Sequence, residues 1–135
     1  MALNVDLLRK GFEVVATANP KFTTRFYEIL FERYPAAQGM FPPNGLARQA
    51  EMLTSALVAV LDHLEDAPWL QTTLGALGVK HVGYGVTREM YDWVGASLLA
   101  TLGEVAGPAW TPELQGAWAE AYGAIASLMQ ARATT

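Results

Sequence analysis

Proline and glycine bound what this chain can fold into. They fall at Asn19-Pro20, Pro35, Pro42-Pro43, Pro68, Gly83 with Gly85, Gly107-Pro108 and Pro112. Each such point ends or opens a helix, because proline lacks an amide hydrogen and glycine reaches backbone conformations other residues avoid. The intervals between them are helix-length, with apolar residues three and four apart. The first predicts a helix from about Leu3 to Ala16. Asn19 as N-cap and Pro20 at the first helical position predict a second, bearing Phe22, Phe26, Leu30 and Phe31 and closed by Pro35. "AAQGMFPPNG" is expected to hold no regular helix. Leu53, Leu57, Val60, Leu61 and Leu64 mark a third helix, ended by Pro68. Residues 70–86 contain Gly75, Gly78, Gly83 and Gly85 and are expected to be short and irregular. Thr87 caps a long helix with Tyr91, Val94, Leu98, Leu102 and Val105 on one side, and "GPAW" breaks it. Thr111-Pro112-Glu113 starts the last helix, which carries Leu114, Trp118, Tyr122, Ile125 and Met129. No alternation lasts long enough for a strand. Asn44-Gly45 follows two prolines and precedes a helical pattern, so it is no hairpin. The expectation is all-α, six or seven unequal helices crossed around a pocket.

Composition narrows the class. The 135 residues predict one domain, 1–135. Hydrophobic residues make up 52%, enough to exclude disorder. Nine basic against thirteen acidic residues leave a net charge of −4, which argues against a nucleic-acid surface. Without cysteine there is neither a disulfide framework nor a thiolate metal site. "MALNVDLLRK" interrupts its apolar stretch with Asn4 and Asp6 and does not read as a secretory signal. No apolar run is long enough to span a bilayer, so a cytoplasmic protein is expected. "GYGVTR" lacks the third glycine and preceding strand of a dinucleotide fingerprint.

Against that background His81 stands out. It continues the helical stripe Leu70, Leu74, Leu77, although the chain has only two histidines. A lone histidine in such a place is ordinarily a core residue whose ring nitrogens meet backbone groups. Gln49 extends the stripe Leu57, Leu53 backward by one turn; alone, it reads as a boundary residue. Tyr27, between Phe26 and Leu30, and Tyr91 each read as core tyrosines with the hydroxyl near the surface. Four polar tips on the inward faces of four helices are costly to bury without a shared purpose. One histidine without a second ligand at metal spacing is poor for zinc. It suits haem, whose iron needs a single axial ligand from the protein and keeps its sixth position for a gas. His63, in "LDHLEDAP", is expected on the surface, and Asp62, Glu65 and Asp66 read as a solvated face.

These fragments resemble the bacterial single-domain globins of the flavohaemoglobin and Vitreoscilla-haemoglobin type, over almost the whole chain. "NPKFTTRFYEILFERYP" places Tyr27 at the family's distal tyrosine. "GMFPP" places Phe41 at the aromatic that wedges against the haem face. "RQAEMLTSALVAV" places Gln49 at the distal glutamine and Leu53 at the apolar distal residue. "GVKHVGYGVTREMYDWVGASLLATL" places His81 at the proximal ligand and Tyr91 beside it. "AWAEAYGAIASLM" resembles the final helix. The resemblance implies haem b on His81, lined by Phe41, Leu53, Val86, Tyr91 and Val94. Arg48 and Lys80 neighbour pocket residues and are placed to meet haem propionates. Tyr27, Gln49 and Leu53 would face the ligand.

The implied activity is reversible binding of O2, NO and CO. One alternative is nitric oxide dioxygenase working with an external flavin reductase, and another is a haem-free sensory or interaction module. Two departures bear on this. The chain ends at Thr135 without a reductase domain. Ungapped alignment of the last helix also puts Ala133 where flavohaemoglobins have a glutamate that partners the proximal tyrosine, which leaves Tyr91 alone to orient the imidazole.

Overall fold

The computed structural model describes residues 4–41 and 45–133. Six α-helices account for most of them: α1 Val5–Ala18, α2 Phe22–Arg33, α3 Leu46–Asp62, α4 Ala67–Gly83, α5 Arg88–Ala106 and α6 Pro112–Ala133. Short 3-10 helices, Pro35–Met40 and Gly107–Ala109, follow α2 and α5. Among the described residues there is no strand. None of their helices is long and apolar enough to cross a membrane. Leu3, Pro42, Pro43 and Asn44 lie outside the described residues, and with them the expected start of the first helix and the double-proline break.

α2 lies against α5 and α3, and α4 lies chiefly against α6, which also meets α1 and α5. The core between them holds Leu8, Val15, Phe22, Phe26, Leu30, Leu102 and Trp118, all buried. Two side chains tie distant segments at the rim. The Arg25 guanidinium donates to both Glu104 oxygens at 2.6 and 2.8 Å, joining α2 to α5. Arg9 donates to the Leu61 carbonyl at 2.9 and 3.2 Å, which satisfies an end carbonyl of α3 from α1.

Thr87 caps α5 and Thr111 caps α6 as expected; the Thr111 hydroxyl accepts from the Leu114 amide at 3.2 Å. Three boundaries differ. Asn19 closes α1 and does not cap α2. Its side chain accepts from the Lys21 amide at 3.0 Å and its carbonyl from Phe22 at 3.1 Å, so Asn-Pro forms a turn and α2 begins at Phe22. Pro68 opens a helix and does not end one. The α3–α4 break falls at residues 63–66, where Asp66 caps α4 by accepting from Trp69 N–H at 3.2 Å, and Pro68 occupies the first turn. Last, α4 is a regular helix of 17 residues and not a short irregular piece. Its interior glycines, Gly75 and Gly78, are buried. A Cβ on Gly78 would stand 1.7 Å from the Met129 carbonyl oxygen, so close packing on α6 offsets the poor helix propensity of glycine.

Candidate functional site

The end of α4 fixes His81 from both sides. Its ring Nδ1 lies 2.8 Å from the Leu77 carbonyl oxygen. A carbonyl only accepts, so Nδ1 carries the proton and the Nε2 lone pair is left available. Beyond the ring, the chain turns back in a Schellman motif. Val86 N–H donates to the His81 carbonyl at 3.0 Å and Gly85 N–H to the Val82 carbonyl at 3.0 Å, with Gly85 at φ +87°. The glycine at Gly85 is therefore required by the backbone, and the motif pins the residue that carries the imidazole. The His81 side chain is half-buried.

His63 makes the same bond to a carbonyl four residues back, Ala59, at 2.8 Å. Its surroundings differ, however. It is half-buried at the end of α3 with its ring lying flat on Trp69, centroids 3.9 Å apart and planes at 8°. That corrects the expectation of a surface residue: the indole covers it. Among the described residues no three His, Cys, Asp or Glu side chains group as a metal cage.

A second cluster joins α2 and α3. Tyr27 is buried at 4% exposure, with the rings of Phe26, Phe41 and Phe31 at 4.9, 5.3 and 6.0 Å. Burial raises its phenol above the ordinary tyrosine range, and the Gln49 side chain draws it part-way back. Gln49 lies in the first turn of α3, which packs against α2. The register of the two helices has a specific cause. The Thr54 hydroxyl donates to the Ala50 carbonyl at 3.0 Å, so its hydrogen is spent, and Thr23 must donate across to it at 2.9 Å. Thr23 precedes Tyr27 by one turn, so this bond sets the separation of α2 from α3 near the Tyr27–Gln49 pair. No local pattern signals it, because a contact between residues 31 apart leaves no spacing to read.

The other expected residues divide by burial. Gln49, Leu53, Phe41, Val86 and Val94 are half-buried, and all four apolar ones pack on the core. Tyr91 is buried, and desolvation raises its phenol. Its carbonyl accepts from the Tyr122 hydroxyl at 2.6 Å, a partner not foreseen. Arg48 and Lys80 are exposed. The side chain of Ala133 lies outside the described residues. Taken by their chemistry, these residues offer one imidazole nitrogen, polar hydrogen-bond donors and half-buried apolar side chains, which is what an iron porphyrin asks of a protein.

The family model "Globin" matches residues 24–129. The chain belongs to the globin family. The all-α crossed-helix expectation and the family resemblance both hold. This globin is 35% identical over 130 residues to a flavohemoprotein of Rhodopirellula baltica, covering 95% of the chain and 32% of that protein. It is 32% identical over 126 residues to a flavohemoprotein of Rhizobium meliloti, covering 92% and 31%. The chain thus spans about a third of the length of these relatives. Among solved structures, an engineered carbene transferase named as a nitric oxide dioxygenase from Rhodothermus marinus aligns at TM-score 0.83 and 28% identity, covering 96% of the globin and 90% of that chain. Ferric Aplysia limacina myoglobin aligns at TM-score 0.81 and 20% identity over 95% and 94%, a likeness of fold.

Proposed function

We propose that this globin, folded as one domain, holds haem b through Nε2 of His81 and reversibly binds O2, with NO and CO as further ligands. The observation that carries the reading is the end of α4, where the Leu77 carbonyl holds Nδ1 and leaves Nε2 available while the Schellman turn closes on the His81 carbonyl. When bound, the iron supplies the gas-binding position and the electron density that makes O2 a strong hydrogen-bond acceptor, whereas CO accepts weakly. The chain's own residues do the rest. Leu77 and the Schellman turn orient the imidazole. Tyr27 and Gln49 donate toward the ligand, and the Thr23–Thr54 bond holds their helices in register. Phe41, Leu53, Val86 and Val94 keep the pocket apolar, and Arg48 and Lys80 supply positive charge at its rim.

On this reading Tyr27→Phe speeds O2 release strongly and CO release little. Losing a hydrogen bond to a charged acceptor costs about 1.5–3 kcal/mol, roughly ten- to a hundredfold in rate if it falls on dissociation. Gln49→Leu acts in the same direction and less strongly. Because burial raises the Tyr27 phenol, the hydroxyl stays protonated and donating as pH passes its ordinary value near 10. Wild-type O2 release should therefore stay flat there. Stopped-flow O2 displacement by CO reads all three; equal off-rates in wild type and both variants would remove Tyr27 and Gln49 from the ligand.

Nitric oxide dioxygenase chemistry, with an external flavin reductase as partner, is the second reading. It draws on buried Tyr27 and half-buried Gln49 together with the relatives named above. The balance is NO plus O2 plus one electron giving nitrate, so each turnover needs an electron from outside. The 135-residue chain has no cysteine and no dinucleotide motif. Reduced protein under air should therefore yield a single burst of nitrate on mixing with NO. With NADH alone steady consumption should be negligible, and an added flavin reductase should restore it. Steady consumption with NADH alone would contradict the need for a partner. Failure of the burst would leave gas binding and dismiss the dioxygenase.

A further inference from the structure

The first turn of α5 is capped by a sulfur. The Thr87 amide donates to the Met90 thioether at 3.4 Å. The Met90 amide in turn donates to Thr87, to its carbonyl at 3.1 Å and to its side chain. This is a capping box with Met90 at the third helical position. That position ordinarily carries glutamate or glutamine, whose oxygen is a strong acceptor for the amide of the capping residue. A thioether accepts only weakly. The weak bond sits between two segments that matter. Thr87 follows Val86, whose own amide closes the turn on the His81 carbonyl at 3.0 Å, and Tyr91 follows Met90. Met90 is half-buried, and its bond to Thr87 lies at the exposed surface. Met52 is exposed and Met129 buried. Met40 also meets the turn, its methyl 4.0 Å from where a Cβ on Gly85 would stand.

We propose that Met90 is a site of oxidation by hydrogen peroxide, and that its sulfoxide tightens the start of α5. A sulfur lone pair attacks one peroxide oxygen; the S–O bond forms, the O–O bond breaks and water leaves. Sulfur loses two electrons and the peroxide gains them. The sulfoxide oxygen is a strong acceptor on a chain about as long as that of glutamine, so it takes over the Thr87 amide in the manner of an ordinary capping box. Sulfoxide formation inside a core disrupts packing, because it turns an apolar side chain polar. Here the reverse holds, since the bond lies at the surface and a donor is already in place. None of this depends on His81 holding iron.

Treatment of the purified chain with hydrogen peroxide, followed by peptide mass mapping and NMR of the Thr87 amide, tests both parts, and neither readout needs bound haem. Met90 and exposed Met52 should each gain one oxygen at a peroxide dose that leaves buried Met129 unmodified. In the oxidised protein the Thr87 amide proton should move downfield and exchange about two- to tenfold more slowly, the worth of one better hydrogen bond. Met90→Gln should show the slow exchange without peroxide. Met90→Leu offers no acceptor, so its Thr87 amide should exchange faster than in the untreated wild type. It should also respond little to peroxide, which separates Met90 from Met40 and Met52. Oxidation of Met129 ahead of Met90 would overturn the modification site. Thr87 exchange that is unchanged or faster on oxidation, or an equal slowing in Met90→Leu, would overturn the capping role.

Discussion

His81→Ala abolishes stable haem binding or leaves a complex that added imidazole restores, whereas His63→Ala retains a wild-type ferrous spectrum. The two histidines make a controlled comparison. Each is half-buried with Nδ1 at 2.8 Å from a carbonyl four residues earlier, so neither tautomer nor burial separates them. What separates them is place. The ring of His63 lies flat on Trp69 beside the α3–α4 turn, while His81 is held at the end of α4 by a Schellman turn that closes on its own carbonyl. If His81 is the axial ligand, its loss would remove the one bond proposed between the protein and the iron, so the expected effect is loss of the complex and not a graded weakening. Titration of each variant with haem, read by the Soret band with and without imidazole, checks it. A native-like ferrous spectrum in His81→Ala without imidazole would refute the ligand assignment.

The second large effect is on stability. Gly78→Ala places a methyl 1.7 Å from the Met129 carbonyl oxygen and 2.8 Å from its Cα. The obstructing atoms are backbone, so no side-chain rotation relieves the clash, and α4 must move off α6. Overpacking a well-filled contact costs about 1–3 kcal/mol, and a backbone obstruction belongs at the upper end. At roughly 2–4 °C per kcal/mol for a chain near this size, the melting temperature should fall by about 6–12 °C. Gly83→Ala is the control on the same helix. Nothing lies within 4 Å of its Cβ, so it should be neutral or slightly stabilising. Thermal unfolding of the two variants side by side reads the difference; equal melting temperatures would mean that α4 and α6 do not touch at Gly78.

The same glycine explains where the sequence misled. Glycines inside residues 70–86 read as breaks because glycine is a poor helix former. Two of them, Gly75 and Gly78, are buried in α4, and Gly78 is a packing notch whose partner, Met129, is 51 residues away in the chain. Only Gly85, at φ +87°, has the local turn role that composition suggested. Proline was ambiguous in the same way. At residue 68 it could end one helix or begin the next, and Asp66 two residues earlier was the cue that decided for a beginning. The polar tips were easier to see. A glutamine, a histidine and two tyrosines on apolar stripes break a pattern that spacing makes visible, and all four are buried or half-buried. Their supports were hidden. Thr23, Thr54 and Tyr122 look like ordinary helix residues, and each acts through a bond to a helix 31 residues away in sequence.

One imidazole nitrogen of this chain is proposed to hold an iron porphyrin and leave the opposite position to a gas. Resonance Raman and absorption spectra of the ferrous protein, before and after CO, test it most directly. A five-coordinate ferrous form is expected, with an iron–histidine stretch that is absent from His81→Ala without added imidazole, and a clean single-step shift of the Soret band on adding CO. A purified chain that takes up no haem, or a ferrous form already six-coordinate before CO, would contradict it.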